Sequence, residues 1–128
     1  MFTIRADQLT AFRARSLDDF RERMVEHVHQ FFPDHCAALG ADGVRSSIDT
    51  GIEQAARYQI VSERDVCKYI TLMFAFGVGF AADPGLPWAA EILQNQVYQN
   101  GTDRIDALYA TAKKQLGHAA RRARRAQQ

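Results

Sequence analysis

Hydrophobic residues recur along the chain at intervals of three, four or eight positions, which places them on one face of an α-helix. The first such segment covers about residues 6–32 and ends before Pro33; its apolar positions are Leu9, Phe12, Phe20, Met24, Val28 and Phe31. No alternation typical of strands, no internal repeat and no long linker is present in the sequence. The pattern predicts an all-α fold, a single compact bundle of about five helices.

A second helix is predicted after a short turn. Residues 34–40 are expected to form that turn, which Gly40 closes, and Asp42 is expected to cap a helix that extends to about Tyr58. Gly51 lies inside this helix, where either a close helix contact or simple tolerance explains it. Two pairs in this helix have the (i, i+4) spacing of ion pairs; they are Arg45 with Asp49 and Glu53 with Arg57.

The most apolar segment, about residues 62–82, predicts a central helix around which the others pack. Ser62 and Asp65 form a capping box at its start, in which the Asp65 side chain reaches back. The uncharged stretch from residue 69 to 82 is fourteen residues long, shorter than the ~20 that span a bilayer, so it predicts a buried core helix. Gly77 and Gly79 have no side chain and are expected to permit the close approach of a neighbouring helix. A nucleotide-binding loop is not expected at these glycines, because no strand precedes them.

A turn and two helices follow the central helix. Pro84 and Gly85 indicate the turn, and Pro87 suits the first position of a short helix that extends to about residue 95. A fifth helix is expected to open at Thr102 or Asp103. Residues 83–98, between the central and fifth helices, are called the exit segment below.

The exit segment contains three candidate partner-binding residues, Leu86, Trp88 and Tyr98. Trp and Tyr are enriched among interface hot spots, and a small core does not absorb every aromatic residue in a short element. Two interpretations of Trp88 stay open: it plugs the end of the core, or it anchors a partner.

Composition and charge favour a globular protein with a reducing environment. The chain is 47% hydrophobic and 24% charged, and its two cysteines, Cys36 and Cys67, are too few for a disulfide framework. Charge begins at Arg5 and Asp7, which leaves no room for the apolar part of a secretion signal. We therefore expect a cytoplasmic location.

The charge is unevenly distributed, and we expect one helical domain over residues 1–118 and a basic tail over residues 119–128. The domain has 12 basic and 15 acidic groups, whereas the tail has no acidic residue and four arginines, Arg121, Arg122, Arg124 and Arg125. These arginines suit a solvated helix end, whose dipole favours cations. The alternatives are that these arginines contact nucleic acid or an acidic protein partner.

No residue pattern indicates catalysis, a cofactor or a metal site. The possible ligands and nucleophiles are His27, His29, His35, Cys36, Cys67 and His118. His27 and His29 are two positions apart on a helix and point in opposite directions, and no CxxC or HxxxH spacing occurs. No local signature supports a Cys/His nucleophile. We expect a non-enzymatic protein.

The sequence RYQIVSERDVCKYITLMFAFGVGFAADPGLPWAAEIL, residues 57–93, resembles a group of small all-helical proteins. They are encoded near effector, spike and chaperone genes of the bacterial type VI secretion system. The shared features are a helix start after Tyr58 and Ile60, the Glu63-Arg64-Asp65 entry, Tyr69, the Leu72-Met73-Phe74 run, Gly77, Phe80, and the exit through residues 83–93. With the first helix and FPDHCAALG, the resemblance covers about residues 1–117.

The resemblance implies a cytoplasmic accessory protein that binds another protein, and no catalytic residues. The expected partner is an effector, its chaperone or a spike component, which an adaptor or co-chaperone helps to load. The alternative is an immunity protein that neutralises a cognate toxin, for which a strongly charged face is more usual. A membrane or small-molecule substrate is not expected.

Overall fold

The computed structural model describes the backbone of residues 14–126 and the side chains of residues 16–117. Within these ranges the chain forms α-helices and one 3₁₀ helix, without a strand. They are α1 (Ala14–Phe31), α2 (Pro33–Arg57), α3 (Glu63–Phe76), the 3₁₀ helix (Phe80–Ala82), α4 (Pro87–Gln94) and α5 (Gly101–Ala126). The predicted all-α bundle of about five helices is confirmed.

Helix α3 lies at the centre of the bundle, as predicted. It packs against α1, α2, α5 and the 3₁₀ helix, whereas α4 packs against α5 and the 3₁₀ helix. The largest fully buried side chains of α3 are Tyr69, Ile70 and Met73. Because an apolar helix must be covered on most sides, its hydrophobicity accounts for this central position. Among the described residues, no helix combines the length and hydropathy needed to cross a bilayer.

Ser62 caps the start of α3 as predicted, but the Asp65 side chain does not reach back to complete a capping box. The backbone N–H of Asp65 donates to the Ser62 hydroxyl at 3.3 Å. The Asp65 carboxylate is buried and accepts from the Thr102 hydroxyl at 2.6 Å and from Arg64 at 2.9 Å. It therefore ties the first turn of α3 to the first turn of α5 instead of closing a capping box.

The end of α3 differs from the prediction by about six residues. The helix stops at Phe76 because Gly77 adopts φ 113° and ψ 153°, a conformation that L side chains rarely adopt. A Cβ added at Gly77 or Gly79 would meet nothing within 4 Å, so no helix approaches there. The close approach is at Gly51, where a Cβ would lie 2.7 Å from Ile70 Cγ1. Gly51 thus lets α2 and α3 pack tightly.

The connection between α1 and α2 also corrects the prediction. Pro33 begins a helix instead of ending one in a turn, since proline suits the first helical position. Gly40, at φ 77°, kinks α2 instead of closing a turn, and Asp42 lies inside the helix. Phe31 was assigned to the buried face but is 60% exposed, and Phe32 packs against Phe74 in its place. Leu9 and Phe12 lie outside the described residues.

Ion pairs connect α1 to α2 across the helix interface. Arg45 donates to Glu22 at 2.7 and 3.2 Å, and Arg21 donates to Asp49 at 2.7 Å. The predicted pair of Arg45 with Asp49 is therefore wrong. The predicted pair of Glu53 with Arg57 is present, with N–O contact at 3.5 Å.

Candidate functional site

A closed turn sets the direction in which the exit segment leaves the core. The Asp83 carboxylate accepts from the Gly85 backbone N–H at 2.8 Å, and the Asp83 carbonyl accepts from the Leu86 N–H at 2.9 Å. These two bonds fix the chain before Pro87, which takes the first position of α4 as predicted. Ala89 and Leu93 are fully buried and hold α4 on the core.

Trp88 lies at the border between core and surface. Its indole packs edge-on against the ring of Phe76, with the centroids 5.4 Å apart, and both side chains are partly buried against the core. Leu86 is likewise partly buried. A large aromatic side chain with one covered and one open side has the properties of an interface anchor and also contributes to packing. The two interpretations of Trp88 are therefore compatible.

The loop between α4 and α5 presents the other apolar residues of the exit segment. Val97 is 66% exposed, and Tyr98 is partly buried. The Val97 backbone N–H donates to the Asn95 side chain at 2.9 Å, which closes a second tight turn. This loop is therefore ordered by its own hydrogen bonds, although its side chains lie at the surface.

Arg104, which the sequence did not single out, holds this loop in place. Its side chain is only 9% exposed and donates to the carbonyls of Leu93, Asn95 and Tyr98 at 3.0, 3.4 and 3.2 Å. Among the described residues its Nε has no acceptor and its charge no carboxylate partner. Carbonyl dipoles at the end of α4 thus stabilise the cation.

One sequence signal points to Arg104. It occupies the first turn of α5, where the helix dipole disfavours a positive charge. A cation in that position requires partners outside its own helix. The identity of those partners depends on where the preceding loop lies, which the sequence alone does not give.

A groove of about 260 Å³ between α1 and α3 brings Cys67 close to His27. The Thr71 hydroxyl lies between them: it donates to the Cys67 carbonyl at 2.8 Å and lies 3.1 Å from His27 Nε2. Because that hydroxyl already donates, His27 Nε2 donates to it and is not free to accept a thiol proton. Burial raises the pKa of the Cys67 thiol, the opposite of what a nucleophile needs.

The remaining possible ligands do not converge in the part of the chain that is described. No group of three or more His, Cys, Asp or Glu side chains is placed to hold an ion there. Cys36 is buried in the core, and burial raises the pKa of its thiol. The expectations of no metal, no cofactor and no catalysis stay predictions.

The basic tail continues the last helix. The backbone of α5 is helical to Ala126, and Ala112 is its last fully buried residue within the described side chains. The side chains of Arg121, Arg122, Arg124 and Arg125 lie outside the described residues. Their role, and the division of the chain at residue 118, stay predictions.

Comparison with known proteins adds no further constraint. No protein-family model matches this sequence, and no curated protein and no solved structure is significantly similar to it.

The exit segment, with Trp88 and the loop that Arg104 holds, is the candidate partner-binding site that the geometry describes best.

Proposed function

We propose that this chain is a non-enzymatic accessory protein of a bacterial type VI secretion effector system, an adaptor or co-chaperone that acts in the cytoplasm. The observation that supports it best is Trp88, a large aromatic side chain left partly open on a short helix whose opposite face is buried. The same helix lies within the stretch that resembles the accessory proteins of this system.

The exit segment suits protein binding because it is ordered before a partner arrives. Arg104 and the two side-chain-closed turns at Asp83 and Asn95 fix its backbone. A surface that is already ordered loses little conformational entropy on binding, which favours affinity. Val97 and Tyr98 are two further apolar residues of the exit segment with exposed surface.

Two observations support a binding role over catalysis. Both cysteine thiols have a pKa raised by burial, which lowers the fraction of the nucleophilic thiolate. The histidine nearest to Cys67 in the groove has its Nε2 engaged by Thr71. The alternative role, neutralisation of a cognate toxin, usually requires a strongly charged face, whereas Arg21 and Glu22 of α1 are paired with Asp49 and Arg45 of α2.

Co-expression with the products of neighbouring genes tests the proposal. We expect co-purification with an effector, its chaperone or a spike component, and expect Val97→Asp to weaken it because that substitution places a charge on an exposed apolar position. Phe31→Ala is the matched control, because Phe31 is also exposed but lies on α1, which has no contact with α4.

Two results would overturn the adaptor role. A chain that purifies as a monomer free of every neighbouring product contradicts protein binding in this system. If deletion of the gene is lethal only while an adjacent toxin gene is intact, the immunity role replaces the adaptor role.

A further inference from the structure

A partly open cavity of about 150 Å³ lies at the opposite side of α3 from the Cys67 groove. The end of α2 supplies Gln54 and Arg57, α3 supplies Tyr69, and the turn after α3 supplies Val78 and Gly79. The ring of Tyr69 packs against that of Phe80 at 5.2 Å between centroids, which makes this wall rigid. The cavity therefore exists without rearrangement of the core.

The charge at this cavity is positive. Arg57 is the one charged residue among those that line it, and no carboxylate does. The guanidinium contacts Glu53 through a single N–O distance of 3.5 Å, with both side chains more than half exposed. An exposed pair of this kind is weak, so most of the five guanidinium donors remain available.

Neutral donors supplement the charge. Where the chain leaves α3, the Gly77 N–H donates to the Met73 carbonyl and the Phe80 N–H to the Gly77 carbonyl. The N–H groups of Val78 and Gly79, between them, have no acceptor among the described residues.

Gln54 adds a further donor. Its Oε1 accepts from the Tyr69 hydroxyl at 2.9 Å, so its NH₂ group remains to donate. The Arg57 guanidinium and the Gln54 NH₂ group are therefore donors available at the cavity wall. An anion with two acceptor oxygens would accept from these donors, whereas a cation or a neutral apolar guest offers them no acceptor.

We propose that this cavity binds a carboxylate on a small organic group, with Arg57 as its ion-pair partner and the Val78–Gly79 backbone as additional donor. A cavity of this volume encloses a group about the size of benzene, and its open side leaves room for the rest of a larger guest. One guanidinium balances one negative charge, and its planar fork matches the two oxygens of a carboxylate. The aromatic wall formed by Tyr69 suits the apolar remainder of the guest.

Two sources supply this chemistry: a free short-chain acid, or the C-terminal carboxylate of a polypeptide, which backbone N–H groups commonly capture. The proposal does not depend on the secretion role. If the cavity binds a polypeptide terminus, it adds a second contact for a partner beside the exit segment. If it binds a free acid, the ligand is independent of that partner.

Titration of the ¹⁵N-labelled chain followed by NMR tests the proposal and separates the two sources. The probes are propionate, an acetylated tripeptide with a free C-terminal alanine, and the same peptide amidated. We expect saturable shifts at the Val78 and Gly79 amides and the Gln54 side-chain NH₂ with millimolar propionate or with the free peptide, and none with the amidated peptide. Tighter binding of the free peptide identifies a chain terminus; equal binding identifies a small acid.

Two substitutions in the last turns of α2 should change the affinity for the carboxylate in opposite directions. Arg57→Gln should weaken binding about tenfold or more, since it removes the charge-assisted bonds. Glu53→Gln should strengthen it, because it frees the guanidinium from its competing acceptor. Both residues are exposed, so neither substitution removes core packing. The proposal is overturned if neither carboxylate causes saturable shifts, if the amidated peptide binds equally, or if Arg57→Gln binds as well as the unsubstituted chain.

Discussion

The indole of Trp88 meets the ring of Phe76 edge-on, at an interplanar angle of 75°. Phe76 is the last residue of α3, and Trp88 is the second residue of α4, so this contact joins the end of the central helix to the exit segment. Both side chains are only partly buried, so part of each ring stays exposed beside this contact. We therefore expect Trp88 to contribute to stability and, under the proposed function, also to binding.

Replacement of Trp88 by alanine should lower the free energy of unfolding by about 2 kcal/mol, less than the 3–5 kcal/mol typical of a fully buried aromatic residue. The physical reason is that the indole is only partly buried. Trp88→Phe keeps a ring against Phe76 and should stay within about 1 kcal/mol of the unsubstituted chain. Urea unfolding of both variants measures this. A Trp88→Ala cost near zero would contradict the packing role.

Gly51→Ala should destabilise the chain by about 1–2 kcal/mol, because overpacking outweighs the roughly 1 kcal/mol that alanine gains in a helix. The added Cβ would lie 2.7 Å from Ile70 Cγ1 and 2.9 Å from Met73 Sδ. Gly43→Ala in the same helix is the matched control, since its Cβ meets only the Leu39 side chain, at 3.1 Å. Thermal unfolding that ranks Gly51→Ala as the more stable variant would refute this packing.

Arg104→Lys should cost about 1–3 kcal/mol and loosen the loop before α5, even though the charge is kept. A lysine ammonium cannot reach three carbonyls that Arg104 bonds through two guanidinium nitrogens. Hydrogen exchange at Val97 and Tyr98 should accelerate. Arg45→Lys, at an exposed pair with Glu22, should change stability by no more than about 1 kcal/mol. Equal effects of the two substitutions would show that Arg104 does not hold the loop.

The carboxyl of Asp106 makes stability depend on pH in acid. Hydrogen bonding from Lys68 holds its pKa below the usual 3.8, and the charges of Lys68 and Arg64 add to this. A folded-state pKa below the unfolded one stabilises the chain above about pH 3.8, and this contribution is lost as pH falls through the folded-state pKa. Asp106 is 42% exposed, so the effect should be small and weaker in salt.

Asp106→Asn tests this dependence. The stability difference between the unsubstituted chain and the variant should be largest near neutral pH and should vanish at low pH. A difference that grows as the pH falls would have the wrong sign. Urea unfolding at several pH values, each at low and high salt, measures it.

The sequence predicts those parts of the fold that depend on local chemistry. Helical periodicity identifies the helices, the Ser62 hydroxyl caps α3, and Pro87 begins α4 because its fixed φ suits a first turn. These signals act within a few residues of one another, so they need no knowledge of how the helices cross.

Local sequence does not determine the role of residues whose contacts depend on tertiary packing. Pro33 can end one helix or begin the next, and only the burial of Cys36 and Phe32 against the core selects the second. The fifth helix is expected to open at Thr102 or Asp103, but it begins at Gly101, whose backbone lies against the Gln59 carbonyl, where a Cβ would clash.

The candidate site follows the same division. Leu86, Trp88 and Tyr98 are candidates because of their residue type and their place after the central helix, and they stay predictions. Arg104 is missed because its partners are backbone carbonyls of a loop. Backbone carbonyls occur at every residue and leave no pattern in a sequence.

Hydrogen–deuterium exchange of the chain, alone and with a co-purified partner, tests the central claim most directly. We expect the partner to slow exchange in residues 86–98, around Trp88 and the Arg104-held loop, and to leave α1 unchanged. Protection confined to α1 and the first part of α2, with residues 86–98 exchanging as in the free chain, would contradict the assignment of the exit segment as the binding surface.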